Sequence, residues 1–235
     1  MAHYQQEEFC KLINKYFFKE KKITILEIGS YNVNGTIRSI FTNSIKYIGV
    51  DVVKGPDVDV VYDGLNLDIK DKFDLSISCE CFEHNPYYLE NFKNMIDLTN
   101  ANGIVAFTCA SIIRGEHGTT RTSTKDSPGS MEKWDYYKNL FKKDFEEKLN
   151  LNELFYKYQF FYNLTSYDLY FIGIKNNNFS IGLELLKKNI ALIYSDEISQ
   201  ELISLHTLCI ILKKTMKKIL RRLNKIKMLF IKKIL

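Results

Sequence analysis

Three groups of residues have the types and spacing to do chemistry. The first is Ile25-Leu26-Glu27-Ile28-Gly29-Ser30 together with Tyr47-Ile48-Gly49-Val50-Asp51. Each is a short apolar run that breaks off at an acid or a glycine. Buried parallel strands have this form when their carboxyl ends deliver a small-molecule site. The 22 residues from Gly29 to Asp51 suit one strand–crossover–strand unit that puts a carboxylate under a ribose, which points to a nucleotide-type cofactor. The second group is Glu83-His84, just past another apolar run. The third is Arg114-Gly115-Glu116-His117-Gly118-Thr119-Thr120-Arg121, where two arginines, a histidine and a glutamate share a glycine-flanked loop. Arginine forks suit phosphate or carboxylate groups, so this loop suits an anionic, hydroxylated substrate.

The elements that must carry these residues follow from periodicity. Residues 3–20 have helical spacing, with Phe9, Leu12, Ile13, Tyr16 and Phe17 on one face. Strands are predicted over Ile23–Ile28, Lys46–Val50, Asp57–Tyr62, Phe73–Ser78 and Ile104–Thr108. Helices are predicted from Gly35 to Phe41, with Asn34 as N-cap, over Tyr87–Leu98 behind Pro86, and over Lys143–Leu149. Residues 110–132 form a long polar loop, of the kind that carries function in a compact domain. Leu154–Leu164 and Asp168–Lys175 are aromatic, β-prone runs joined by a short turn, a hairpin. The expected fold is therefore α/β: a Rossmann-like, mostly parallel seven-stranded sheet with a C-terminal antiparallel hairpin strand, in a domain spanning 1–178. Residues 179–235 are read as a helical extension.

Composition narrows the function classes. Lys and Arg outnumber Asp and Glu by 33 to 28, but ten of those cations and no acid lie from Lys213 onward. The preceding residues thus hold 23 basic against 28 acidic groups, which speaks against a nucleic-acid-binding body. The five cysteines, at 10, 79, 81, 109 and 209, are odd in number and lack a CxxC pair, as in a reducing cytoplasm. No secretory leader and no apolar stretch long enough to span a bilayer is apparent.

The chain from about 23 to 175 resembles the class I S-adenosylmethionine-dependent methyltransferases. It is most similar to the small-molecule, type 11-like group associated with bacterial surface-polysaccharide and sugar modification. The matching text is LEIGSYNVNG, YIGVDVVKGPDVDVVYDG, FDLSISCECFEHNPYYLENFKNMIDLTNANGIVAFTCAS, EHGTTRTS and DLYFIGIK, in the family's order. One departure concerns the first loop, which is commonly ExGxGxG in the family but retains only Gly29 and Gly35 here. A dinucleotide pyrophosphate needs close backbone approach at several glycines, whereas S-adenosylmethionine has no phosphate. The departure weakens an NAD-dependent sugar-modifying enzyme more than a methyltransferase.

The resemblance implies a role for each residue. Glu27 lies near the methionine ammonium, Gly29 and Ser30 let the backbone approach the ligand, and Asp51 accepts both ribose hydroxyls. Asp63-Gly64 takes the adenine edge, with a plain Asp-Gly turn as the rival reading. Ser78–Cys81, including Cys79 and Glu80, passes under the methionine half. Methyl transfer to oxygen removes a proton, which makes His84 the first candidate base and His117 the second. A purely structural role for His84 at the strand–helix corner stands beside this. Arg114, Glu116, Arg121 and Tyr136 are the candidate acceptor contacts, with Tyr136 and Tyr137 able to act as a lid. Glu80, Glu83 and His84 offer two carboxylates and an imidazole, but alternation along an extended segment would turn neighbours to opposite sides, so no metal is expected.

The implied function is O-methylation of a sugar, sugar nucleotide or related polar, anionic metabolite in the cytoplasm, with S-adenosylhomocysteine as product. A non-catalytic, membrane-attached binding module is the non-enzymatic rival. On a helical wheel, residues 213–235 place Met216, Ile219, Leu220, Leu223, Ile226, Phe230 and Ile234 opposite the cations. That pattern suits an anionic membrane surface, packing against residues 180–210, or another subunit.

Overall fold

The computed structural model describes residues 4–190 together with 193–194, 208, 212 and 216. Ile23–Ile28 (β1), rich in β-branched residues, is buried along nearly its whole length, as a strand covered on both faces must be. It pairs in parallel with Ser44–Asp51 (β2) on one side and Phe73–Cys79 (β4) on the other. Val60–Val61 (β3) extends the sheet beyond β2, and Thr99–Ala110 (β5) pairs in parallel with β4. Asp168–Ile174 (β7) is antiparallel to both β5 and Lys157–Asn163 (β6), and Ile193–Tyr194 (β8) lies antiparallel on β6. The order is β3-β2-β1-β4-β5-β7-β6-β8, so the chain reverses its winding between β1 and β4. Open α/β sheets bind ligands in the crevice at such a switch point, outside the carboxyl ends of the strands.

Side-chain alternation sends the two halves of each strand to different partners. Ile25, Leu75, Ile77, Ala106 and Ile172 pack under Tyr4–Ile13 (α1), the π-helical turn Asn14–Phe18 and the helix Ser180–Asn189. Their neighbours Phe107 and Phe171 face Tyr88–Leu98 (α2) and the short helix Lys142–Glu146, in an aromatic layer with Phe92 and Phe145. The Phe107 and Phe145 rings lie 4.7 Å apart. Burial of each such ring contributes roughly 1.5–3 kcal/mol.

Several elements differ from the sequence expectation. No α-helix opens at Gly35. Asn32 Oδ1 accepts from the Gly35 N–H at 2.8 Å, a local turn that competes with helix, and only the 3₁₀ turn Arg38–Ile40 follows. The third strand shrinks to two residues because Gly55–Val58 forms a turn, with Asp57 in the left-handed region at φ 64. β5 is longer than expected, Thr99–Ala110, with its register on β4 interrupted around Asn102-Gly103: Phe73 pairs with Thr99 and Leu75 with Ile104. Sheet pairing continues past residue 178, since β8 adds an eighth strand. Because Phe179, Leu183, Leu186 and Ile190 join the same core as α1, the boundary at 178 falls inside the first compact unit, which extends to Ser195.

A second unit comprises Asp196–Leu235; its described residues Leu208, Leu212 and Met216 are helical and exposed. The basic amphipathic stretch 213–235 lies, apart from Met216, outside the described residues. No helix among the described residues is long and apolar enough to cross a membrane.

Candidate functional site

A cleft opens at the switch point, lined by Gly29, Tyr31, Asp51, Tyr62, Cys79–Cys81, His84, Asn85 and the strap 126–130 with Trp134. Its floor is made by strand ends meeting closely. Gly29 stands at φ +80, and a Cβ there would lie 2.6 Å from Cys81 Sγ, so only glycine fits between β1 and the segment leaving β4.

Asp51 ends β2 inside the cleft. Its carboxylate accepts from the backbone N–H of Tyr31 at 3.1 Å and of Val52 at 2.7 Å. Burial pushes its pKa up, and those N–H groups pull it back down. The neighbouring loop amides are all engaged. Gly29 N and Ser30 N donate to Val50 O at 2.9 and 3.1 Å, and Asn32 N donates to Pro56 O at 3.0 Å. The strap lies over this end, since a Cβ at Gly129 would meet Asp51 Oδ1 at 3.1 Å. Trp134 anchors it: the indole rests on Gly64, and Nε1 donates to the His84 carbonyl at 2.6 Å.

Beyond Cys81 the cleft changes character. Glu80 sits at φ 50, a left-handed conformation stored at the site. Its Oε1 accepts from Thr108 Oγ1 at 3.0 Å, while Oε2 has no hydrogen-bond partner. Phe82–His84 is a 3₁₀ turn. Glu83 is fully buried, and neither of its carboxylate oxygens has a partner. Burial and the nearby Glu80 charge hold Glu83 well above the usual carboxylate range. The His84 and His117 rings meet edge to face, with centroids 4.9 Å apart, and Tyr137 touches both. Burial pushes His84 down to about 3 and lowers His117 as well, so both imidazoles are neutral. His84 is therefore a weaker base in this environment than the near-neutral group its residue type suggests.

Glu27 does not line the cleft; it is buried behind it, accepts from Tyr47 Oη at 2.7 Å, and is pushed up to about 7 by burial. Ser30 is buried beside Gly49, its hydroxyl without a partner. Asp63 is exposed and closes its own turn, accepting from Leu65 N, Asn66 N and Asn66 Nδ2, which lowers its pKa. Gly64 contributes instead through its carbonyl, held by Asn85 and Asn91.

Arg114 is not a free fork: its Nη1 donates to Asp168 Oδ1 at 2.7 Å and to Ser166 O at 2.6 Å, and its Nη2 lies 3.7 Å from Glu80. Arg121, Glu116 and Asp135 bind one another on the outside of the loop. The Tyr137 ring touches both histidines, and Tyr136 meets His84 through its backbone. Sequence reasoning passed over Tyr31, Tyr62, Asn85, Ser127–Ser130 and Trp134 as cleft residues; a lone Trp after a Gly/Pro-bearing polar loop was the one available signal.

With the geometry in place, the chain can be set beside known proteins. No protein-family model matches it, and no curated protein matches it in sequence. Solved structures do match in shape. The N-terminal domain of EvdMO1, determined in the presence of S-adenosylhomocysteine and D-fucose, superposes with a TM-score of 0.51 at 13% identity, over 74% of this chain and 84% of that one. The two share one fold, an α/β Rossmann-like sheet. The 1,6-didemethyltoxoflavin-N1-methyltransferase of Burkholderia thailandensis gives 0.49 at 12% identity, covering 74% of this chain and 79% of that one. The N-methyltransferase NodS of Bradyrhizobium japonicum gives 0.46 at 12% identity, covering 73% and 87%.

Proposed function

We propose that this chain is an S-adenosylmethionine-dependent methyltransferase acting on a hydroxyl of a sugar, sugar nucleotide or related polar metabolite. The observation that carries the cofactor assignment is the state of the first loop. The N–H groups of Gly29, Ser30, Tyr31 and Asn32 are all spent on internal acceptors. A pyrophosphate would find no free amide cradle there. What the cleft presents is a carboxylate, Asp51, and a close-packed glycine floor, which suit a ribose diol and an uncharged adenosine. The cofactor supplies a methyl group already activated on a sulfonium, so the chain's own task is to align an acceptor within about 3–3.5 Å and exclude water.

The acceptor assignment rests on the wall formed by His84, His117 and Tyr137 next to the cleft, and on the sugar present with the EvdMO1 domain. Both arginines of the loop are paired with acids, so hydroxyl recognition is favoured over capture of an anion.

Calorimetry with S-adenosylhomocysteine and NAD tests the cofactor half. The homocysteine ligand is expected to bind and NAD not. Asp51→Asn should weaken binding by about 10–100-fold, the worth of one charged hydrogen-bonding group. Binding of NAD alone, or an unchanged affinity in Asp51→Asn, overturns the assignment. Release of S-adenosylhomocysteine on a panel of sugar nucleotides tests the acceptor half, and binding without turnover on any hydroxyl acceptor favours a non-catalytic module.

A further inference from the structure

Beside the cleft lies a second constellation that cofactor binding leaves unused. We propose that Glu83, His84 and His117 form a binding site for one divalent first-row transition ion. One ligand atom from each of the three comes within 4.8 Å of the other two. Donors arranged tetrahedrally around one ion at about 2.0–2.2 Å stand roughly 3.3–3.6 Å apart, so side-chain rotations that bring these atoms closer by up to about 1.5 Å complete the site.

Three independent features point to a missing cation. First, the fully buried Glu83 carboxylate has no hydrogen-bond partner on either oxygen, and the buried Nδ1 of His84 has none either. Buried polar atoms are almost always satisfied, and a bare buried carboxylate is the costliest exception. Second, the ring nitrogens are prepared for coordination. His117 Nδ1 lies 3.1 Å from the Gly115 carbonyl, which can only accept, so Nδ1 carries the proton and Nε2 keeps its lone pair. Third, the local charges do not balance. Glu80, Glu83 and Asp168 gather around the single guanidinium of Arg114, which is already paired with Asp168 and Glu80. That leaves the Glu83 carboxyl without a cation of its own.

The sequence argument against a metal assumed that Glu83 and His84 sit on an extended segment and diverge. They lie instead on a 3₁₀ turn, which lets neighbours converge, and the third ligand comes from the distant loop after β5, not from Glu80. Two imidazoles and one carboxylate suit Zn²⁺, Co²⁺ or Fe²⁺ and disfavour the all-oxygen ions Mg²⁺ and Ca²⁺. Three protein ligands also leave a position open, and His84 lines the cleft. On the methyltransferase reading, that position would hold the acceptor hydroxyl and lower its pKa.

The test uses the full chain, stripped with chelator, dialysed and titrated with Co²⁺ while visible absorption is recorded. One Co²⁺ per chain is expected, with d–d bands of nitrogen–oxygen coordination and competition by Zn²⁺ but not Mg²⁺. The isosteric Glu83→Gln and the shorter His117→Asn should each lose about 100-fold or more in affinity, beyond what loss of an outer-sphere partner costs. Melting curves without metal establish that both variants are folded. Overturning results are no Co²⁺ uptake by folded protein, undiminished affinity in both variants, preference for Mg²⁺, or thiolate charge-transfer bands that move the ion to the cysteines. S-Adenosylhomocysteine affinity, measured on the same samples, scores the cofactor reading separately: it should survive both substitutions.

Discussion

The two ends of the cleft differ in how their polar atoms are satisfied. At the β1–β2 end, the N–H groups of Gly29 to Asn32 and both oxygens of Asp51 have partners within the chain, the Ser30 hydroxyl being left without one, and the segments are packed so closely that Gly29 cannot carry a side chain. At the β4–β5 end, the carboxylate of Glu83, one oxygen of Glu80 and Nδ1 of His84 are buried without partners. One end is a finished surface against which a ligand is laid. The other is an incomplete polar cluster that a ligand must complete. A finished surface resists substitution through packing, whereas an incomplete one responds through binding, so the two ends should answer mutation in different measurements.

The largest expected effect is on stability at the finished end. Gly29→Ala imposes a left-handed conformation costing about 1–2 kcal/mol and drives a methyl into Cys81, adding about 1–3 kcal/mol of overpacking. Thermal melting should show the loss. Adding Cys81→Gly should recover the packing part and leave the conformational part. No recovery in the double variant would mean that close approach of these two segments is not what demands glycine.

Immediately behind this end, Glu27 gives a pH test. Its folded pKa of about 7 lies above the 4.5 of a free carboxyl, so the folded protein binds the extra proton between those values. Stability therefore falls as pH rises from about 4.5 to 7 and stays reduced above that, by about 3 kcal/mol if Glu27 acts alone. Glu27→Gln keeps an acceptor for Tyr47 Oη and removes the titration. Denaturant melts should show the variant matching the parent near pH 4 and exceeding it at pH 8. Equal curves at both pH values would place no proton on Glu27.

These contrasts explain which parts of the molecule were legible in the chain. The strands β1, β2, β4 and the β6–β7 hairpin announce themselves because a buried strand needs an unbroken apolar run, and such runs are local. Gly29 and Asp51 were legible for the same reason, since they mark where those runs stop. The residues gathered by the strap were not. Trp134 meets Gly64 and the His84 carbonyl only because the 110–135 loop folds back over the sheet, and no local pattern encodes that return. The meeting of His117 with Glu83 was hidden likewise. Glu27 shows a different limit: its position in the motif was clear, but its bond to Tyr47 Oη, contributed by the neighbouring strand, is not written in the local run.

The smallest expected effect sharpens the comparison at the incomplete end. Residue types alone make Arg121 an anion-binding group, yet its guanidinium is held by Glu116 and Asp135 on the outer surface of the loop. Exposed pairs of this kind contribute between zero and about 1 kcal/mol. Arg121→Ala should therefore leave the melting temperature nearly unchanged and only speed amide exchange over 115–121, where the latch is lost. Metal and S-adenosylhomocysteine affinities should stay within about threefold, because Glu116 and Asp135 remain solvated and His117 is held separately through Gly115. A rise of tenfold or more in the KM for an anionic acceptor, with cofactor affinity intact, would contradict this. It would mean that the latch opens during turnover and hands Arg121 to the substrate, making the outer loop part of the incomplete surface.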